Sequence, residues 1–196
     1  MAKLYYQGHG SLRIATDDGA VIYVDPFAGD GYDLPADIIL VTHSHRDHNK
    51  ISRCKQNEGC RIITHKDALS GGRHRTFSVG GVTIEAVEAH NLMHSRKRCV
   101  GYIITTDGVT VYVLGDTGIT KQMESFAERK LDYALFPCDG VFNMNLKQAA
   151  ECARLICARH NVPIHLRLHK IFDRERADEW DAPNKLIIPP GEEIQL

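Results

Sequence analysis

The segment Val41-Thr42-His43-Ser44-His45-Arg46-Asp47-His48 carries the most information about how this chain folds and what chemistry it supports. Between His43 and His48 it places three imidazoles and one carboxylate. Imidazole nitrogen and carboxylate oxygen are suitable ligands for zinc, iron, manganese and nickel. The segment therefore predicts a metal site, against the alternative of a solvated histidine-rich loop.

A short apolar strand is predicted directly before this segment. Ile38–Val41 is a continuous apolar run of the kind found in buried strands, and it ends at Thr42-His43. The histidines are therefore expected on a loop at the carboxyl end of a strand, a frequent location for sites in layered folds. On such a loop His43 and His45 can converge on one ion, while Asp47 and His48 face a neighbouring one.

Two ions need more ligands than this segment contains, and the sequence offers candidates after three other predicted strands. His90 ends the strand that begins at Glu85, Asp116 follows the strand that begins at Val111, and His165 follows Val162-Pro163-Ile164. The two oxygens of Asp116 could bridge two ions. His169, four residues further along the chain, competes with His165 as the last ligand.

Taken together, these residues resemble the metallo-β-lactamase superfamily, whose signature is His-x-His-x-Asp-His followed by a later His, Asp and His. The resemblance covers essentially the whole chain. Three shorter stretches are similar to the branch that contains L-ascorbate-6-phosphate lactonase, namely Gly8-His9-Gly10-Ser11, Val24-Asp25-Pro26-Phe27 and Gly115-Asp116-Thr117. The chain is shorter than that lactonase, so the loops that recognise the sugar phosphate are not expected.

The resemblance implies an α+β fold, a four-layer αββα sandwich of two mixed β-sheets flanked by helices. It also implies the grouping of the ligands. One ion is expected to be bound by His43, His45 and His90, and the other by Asp47, His48 and His165, with Asp116 bridging. Asp25 is expected to orient a metal-binding histidine by contact with its ring.

The expected cofactors are two divalent metal ions, with zinc favoured and manganese, iron or nickel as alternatives. Two such ions acidify a shared water and supply hydroxide near neutral pH. Asp47 is the candidate catalytic carboxylate, as an aid to proton transfer.

Several other residues are ambiguous at this stage. His9 lies in a Gly-His-Gly turn and has a place beside the metals by resemblance, without being assigned as a ligand. His94 and His169 are surface residues or part of the cleft. Cys138 precedes Asp139-Gly140 in what reads as a structural turn. Arg96-Lys97-Arg98 reads as a solvated face, with binding of an anionic substrate as the alternative.

Composition limits the classes of protein to consider. The chain has 196 residues, 43% hydrophobic and 25% charged, which suits one domain over residues 1–196. Its net charge of -1 gives no overall attraction to nucleic acid or anionic membranes. Met1–His9 contains no apolar core of a secretory signal, so a cytoplasmic protein is expected.

Elsewhere the pattern is one of many strands with helices inserted at intervals. Helices are predicted at Lys50–Gln56, Lys121–Arg129 and Leu146–Arg159, the last capped by Asn145. A final strand is predicted at Lys185–Ile188.

The leading hypothesis is a metal-dependent hydrolase with a binuclear centre, acting on a small ester, lactone or phosphoester. One alternative is a nuclease or phosphodiesterase of the same superfamily, although nucleic acid is not an expected partner. The other is a metal-binding or redox module without hydrolytic activity. The expected partner is a small molecule, with an anionic one among the alternatives. No membrane is expected as a partner. The sequence leaves a homo-oligomer open.

Overall fold

Fourteen β-strands form most of the structure, a computed structural model that describes residues 1–196. In chain order they are β1 (Lys3–Gly8), β2 (Ser11–Ala15), β3 (Val21–Val24), β4 (Ala36–Val41), β5 (Gln56–Thr64), β6 (Leu69–Ser70), β7 (Arg73–His74), β8 (Thr76–Val79), β9 (Val82–Glu88), β10 (Val100–Thr106), β11 (Val109–Val113), β12 (Tyr133–Pro137), β13 (His160–Ile164) and β14 (Glu193–Gln195). The α-helices are α1 (His65–Ala68), α2 (Leu146–Ile156) and α3 (Arg174–Glu179). Two 3₁₀ helices cover Ile51–Arg53 and Lys121–Arg129.

Twelve of the strands form two six-stranded sheets. The first sheet has the order β14-β1-β2-β3-β4-β5, and the second has the order β13-β12-β11-β10-β9-β8. Each sheet is mixed, because β3-β4-β5 and β11-β12-β13 pair in parallel while the remaining neighbours are antiparallel. The predicted pair of mixed sheets is therefore confirmed.

The main core lies between the two sheets. Side chains alternate along each strand, so that every second residue points into this layer. From the first sheet Leu12, Ile14 and Leu40 are fully buried there, and from the second Ile84 and Ile104. The hydroxyl of Tyr102 on β10 crosses the layer and donates to the carbonyls of Val41 and Ile63, at 3.1 and 3.3 Å. These contacts fix the end of β4, from which the histidine-rich segment departs.

Helices cover the outer faces of the two sheets unequally. The second sheet carries α2, α3 and the 3₁₀ helix Lys121–Arg129, which pack through residues such as Phe126 and Trp180. The first sheet has a smaller outer cluster that includes Tyr23 and Cys54. The helix predicted at Lys50–Gln56 is wrong, because only Ile51–Arg53 forms a 3₁₀ turn, without a side-chain cap, before β5 begins. No helix combines the length and apolarity needed to cross a membrane.

Two other predicted boundaries also differ from the structure. Helix α2 ends at Ile156 rather than Arg159, since Cys157 adopts a left-handed conformation with φ 55°. The segment Lys185–Ile188 is not a strand. It makes one isolated bridge from Lys185 to Asn161, and β14 instead completes the edge of the first sheet against β1.

The strand directions bring the loops of interest to one edge of the sandwich. β1, β3 and β4 run in the same direction, as do β9, β11, β12 and β13. Two hydrogen bonds join the sheets at the carboxyl ends of these strands. Val100 N donates to Thr42 O at 3.0 Å, and His165 N donates to His9 O at 2.9 Å. The loops that leave these strands therefore meet between the sheets.

Candidate metal centre

The predicted histidine segment forms a tight loop after β4. Its turn is closed by the His48 amide, which donates to the His45 carbonyl at 3.1 Å. His43 and His48 are buried, whereas His45 is exposed and Asp47 half-buried. His43 also forms an isolated bridge to Cys99, just before β10. The loop is thus held against the second sheet.

One group of ligand atoms contains His43, His45 and His94, all within 4.8 Å of one another. Nε2 of His94 lies 3.1 Å from Nδ1 of His45 and 3.3 Å from Oδ2 of Asp116. Nε2 of His43 lies 3.9 Å from the same Asp116 oxygen. Three imidazoles and one carboxylate oxygen therefore face a common point.

A second group contains Asp47, His48, His165 and His9, again within 4.8 Å. Oδ2 of Asp47 lies 3.9 Å from Nε2 of His48, 3.8 Å from Nε2 of His165 and 3.2 Å from Nε2 of His9. This group lies beside the first, since His48 also belongs with His43 and Asp116 in a third overlapping set.

Asp116 stands between the two groups. Its Oδ2 faces His94 and His43, while its Oδ1 lies 3.4 Å from Nε2 of His48 and 3.8 Å from Nε2 of His165. The turn before it requires Gly115, whose φ is +66° and where a Cβ would lie 3.1 Å from Cβ of Thr42, the residue that follows β4. The backbone thus approaches the first sheet closely enough for one buried carboxylate to reach both groups.

The polar atoms of the centre fit a cation. Nε2 of His43, His48 and His165 and Oδ1 of Asp116 are buried and have no hydrogen-bond partner. Leaving such atoms unpaired costs about 1–3 kcal/mol each. Imidazole nitrogens and carboxylate oxygens at this spacing are suitable donors for divalent metal ions, and bound cations would satisfy these atoms.

His94 has a ring orientation that supports the same interpretation. The amides of Met93 and His94 donate to Oδ1 of Asn91, both at 2.9 Å, which fixes that atom as the acceptor. Nδ1 of His94, 2.8 Å from Oδ1, must then carry the proton. Its Nε2 consequently presents a lone pair towards the Asp116 carboxylate, an arrangement that a cation between them would stabilise.

Asp25 fixes the ring of His48. Its Oδ2 lies 2.8 Å from Nδ1 of His48, and because a carboxylate only accepts, the ring nitrogen donates. Thr42 donates to Asp25 from its amide at 2.8 Å and from its hydroxyl at 2.7 Å. Asp25 follows β3 directly with φ 46°. The contact leaves Nε2 of His48 free to bind a cation.

Asp139 lies beside His165 as Asp25 lies beside His48. This role of Asp139 was not predicted from the sequence. Its Oδ2 is 3.3 Å from Nδ1 of His165, a charge contact short of hydrogen-bond geometry. Its Oδ1 accepts from the amides of Val141 and Phe142, at 2.7 and 2.8 Å. The available signal was the location of Asp139 two residues after the parallel strand β12, close to the strand-end position of Asp25 after β3.

The ionisable groups of the centre shift one another's pKa values. Burial lowers the pKa of His165, but the carboxylates, Asp116 foremost, outweigh burial and raise it to about 10. Burial and the nearby His48 imidazole lower the pKa of His43 to about 2. Burial raises the pKa of Asp116, yet the surrounding imidazoles, His48 first, hold it below its usual value. A cation that binds at His165 therefore competes with a proton.

His90 does not join either group. Its amide donates to Oγ1 of Thr117 at 2.9 Å and its carbonyl accepts from the Gly118 amide at 2.9 Å, so its backbone is held against the Asp116 loop. The turn made by Asn91 then brings His94 to His45. The structure thus places His94 where the resemblance suggested His90.

The remaining candidates surround the centre. Nδ1 of His9 lies 3.3 Å from Lys170 O, and its ring packs on His165 with centroids 3.7 Å apart. His165 lies with Asp47 and His48, whereas His169 belongs to neither group and lines the cleft. Cys138 is buried beneath, with its thiol donating to Phe136 O at 3.2 Å.

Two of the openings that lead to the centre differ in character. A cleft of about 190 Å³ exposes His45, Asp47, His94 and Asp116 beneath an apolar rim. A groove of about 410 Å³ approaches from the side of His43 and His45 and is lined by Ser44, Ser95, Lys97 and Arg98. A small molecule can therefore reach the ligand atoms along an apolar path or a basic one.

Comparisons with known proteins agree with this geometry. A family profile described as Beta-lactamase superfamily domain matches residues 3–165. A UPF0173 metal-dependent hydrolase from Nitratidesulfovibrio vulgaris is 35% identical, with 99% of this chain and 95% of the relative covered. Another from Pyrococcus furiosus is 29% identical and covers 100% of each chain.

Among solved structures, the chain is similar to one named as a metal-dependent hydrolase from Parabacteroides distasonis. The two share 31% identity and superpose with a TM-score of 0.75, which covers 93% of this chain and 90% of the other.

Proposed function

The chain belongs to the metallo-β-lactamase superfamily and is a metal-dependent hydrolase, and from this we propose that it hydrolyses a small ester, lactone or phosphoester with two divalent ions. The observation that carries the proposal is the position of Asp116, whose two oxygens face two separate sets of ligand atoms. Zinc is the favoured ion, with manganese, iron or nickel as alternatives.

The distances support a separate set of ligands for each proposed ion. One ion would be held by His43, His45, His94 and Oδ2 of Asp116. The other would be held by Asp47, His48, His165 and Oδ1 of Asp116. This assignment replaces His90 by His94 and keeps the other predicted ligands.

When bound, such ions lower the pKa of water and polarise the bond to be cleaved. The protein contributes orientation and proton transfer. Asp25 and Asp139 hold the rings of His48 and His165 so that both Nε2 atoms face inward. Asp47 is the half-exposed carboxylate of the centre, with Oδ2 at 3.2 Å from Nε2 of His9, and it would assist proton transfer.

Metal content after reconstitution tests the proposal. We expect two ions per chain by elemental analysis, and loss of metal when Asp116 is replaced by Ala. Asp181→Ala is the matched control, because that side chain is 98% exposed. Activity would then be screened on lactones, phosphodiesters, thioesters and β-lactams. Full metal content in Asp116→Ala would contradict the two-ion centre.

Cleavage of small phosphodiesters is a second candidate, favoured by the basic groove. Lys97 and Arg98 line it beside His43, where an anionic substituent would find cationic partners. Replacing both by Ala should lower the cleavage of bis-p-nitrophenyl phosphate more than that of p-nitrophenyl acetate. Equal losses on the two substrates would remove this candidate.

A further inference from the structure

An apolar groove continues from the metal cleft. It has a volume of about 500 Å³ and is lined mainly by apolar side chains, with Asn91 and Asn143 among the polar ones. Met93 and Phe142 also line the cleft above the ligand atoms. The groove and the cleft therefore share a wall.

Large apolar side chains are exposed in this groove to an unusual degree. Eight large hydrophobic residues of the chain are exposed, and five of them line the groove. They are Leu92, Met93, Ile119, Val141 and Phe142. Scattered exposed hydrophobic residues are ordinary, but a contiguous set marks a binding surface.

The walls of the groove are fixed to the metal centre. On one side Asn91 holds the ring of His94, and its Nδ2 donates to Oδ1 of Asn143 at 3.2 Å. On the other side Asn143 donates from Nδ2 to Asp139 at 2.6 Å, and the amides of Val141 and Phe142 donate to Asp139 as well. Asp139 in turn contacts His165. The walls of the groove thus include Asn91, which is hydrogen-bonded to His94, and Asp139, which contacts His165.

From this arrangement we propose that the substrate carries an aliphatic acyl group, which lies in the groove while the adjacent ester or lactone bond reaches the metal centre. The inference rests on the proposed hydrolytic function. An acyl chain would cover the exposed faces of Leu92, Ile119 and Val141 without requiring a polar partner. The hydrogen-bonded walls keep this chain at a constant distance from the ligand atoms.

A series of p-nitrophenyl esters from acetate to octanoate tests the proposal on the metal-loaded protein. Each added methylene should raise kcat/KM about three- to fourfold until the groove is filled. In the double variant Ile119→Asn, Val141→Asn, the ratio of octanoate to acetate hydrolysis should fall close to one, with metal content retained. The control Leu34→Asn replaces an exposed apolar residue outside the groove and should keep the wild-type ratio.

Binding provides a readout that does not depend on turnover. Calorimetric titration of the wild-type protein with carboxylates from acetate to octanoate should show affinity increasing with chain length, and the double variant should lose the increase. Wild-type kinetics and binding that are both independent of chain length would overturn the proposal. Self-association of the wild-type protein that the double variant abolishes would overturn it too, because the groove would then be an interface between copies.

The proposed hydrolysis can fail separately. If the metal-loaded protein cleaves none of the esters but binds longer carboxylates more tightly, the groove accepts acyl chains and the proposed hydrolysis of esters is wrong. If it cleaves acetate and octanoate esters equally well and binds both carboxylates equally, hydrolysis stands and the acyl groove is wrong.

Discussion

Nε2 of His94 lies 3.1 Å from Nδ1 of His45, although the two residues are 49 positions apart and come from loops of different sheets. The contact depends on Asn91, which accepts from the His94 amide and from its ring. The third imidazole of the first group therefore comes from a residue after a five-residue turn that follows β9. It does not come from the end of the strand itself.

Replacing His94 by Ala should weaken metal binding much more than replacing His90 by Ala. His94 faces His45 and Asp116, whereas His90 is in neither ligand group. Loss of a ligand should lower the affinity by more than the roughly 10–100-fold typical of losing a partner of a ligand. Competition with a chromophoric chelator measures the change. Retention of metal by His94→Ala together with its loss in His90→Ala would reverse the assignment.

Asp25→Asn should reduce metal affinity about 10–100-fold while the chain still folds. The amide can still accept from Thr42, but it no longer provides the carboxylate that holds the Nδ1 proton of His48 at 2.8 Å. Metal titration followed by circular dichroism separates the two effects. Asp33→Asn serves as the control, because its side chain is 73% exposed and belongs to none of the ligand groups. Equal metal affinity in both variants would argue against the role of Asp25.

The sequence was sufficient to predict the layered sheets and the segment His43–His48, because both depend on local patterns. Apolar runs such as Ile38–Val41 identify buried strands, and several residues of the types that bind metals lie close together in the segment. What the strand-end rule could not predict was which histidine after β9 reaches the centre. That choice depends on the Asn91 turn and on hydrogen bonds from His90 to the loop of Asp116, which are contacts between distant segments.

The wrong element assignments have a related cause. Lys50–Gln56 has helical composition, but the chain leaves the 3₁₀ turn early and β5 pairs with β4 from Gln56 onwards. Tertiary pairing thus overrides a weak local preference. Lys185–Ile188 is apolar enough for a strand, and Ile188 is buried in the core, yet β1 pairs with β14 instead.

Tyr102→Phe should lower the free energy of unfolding by about 1 kcal/mol. The variant keeps the ring in the core and removes only the hydroxyl that donates to the carbonyls of Val41 and Ile63. Urea denaturation of the metal-free protein gives the change without a contribution from ligand binding. Tyr5→Phe is the comparison, because Tyr5 is only partly buried. If the free energy of unfolding falls no further than in Tyr5→Phe, the hydroxyl contributes little to the contact between the sheets.

Asp139 offers a prediction that separates its contact with His165 from its contacts with the amides of Val141 and Phe142. Asp139→Asn should keep an oxygen that accepts from these amides, but it loses the negative charge beside Nδ1 of His165 and the oxygen that accepts from Nδ2 of Asn143. We expect this variant to bind metal about 10–100-fold more weakly and to retain the dependence of hydrolysis on acyl chain length. Chelator competition and the ester series measure the two properties.

Asp139→Ala should lose both properties, because the acceptor for the Val141 and Phe142 amides disappears with the charge. Its metal affinity should fall at least as far as that of Asp139→Asn, and its ratio of octanoate to acetate hydrolysis should approach one. If Asp139→Ala keeps the dependence on acyl chain length as Asp139→Asn does, the loop that carries Val141 and Phe142 does not depend on this carboxylate. In that case the groove and the ligand His165 are positioned independently, and Asp139 acts only on the metal.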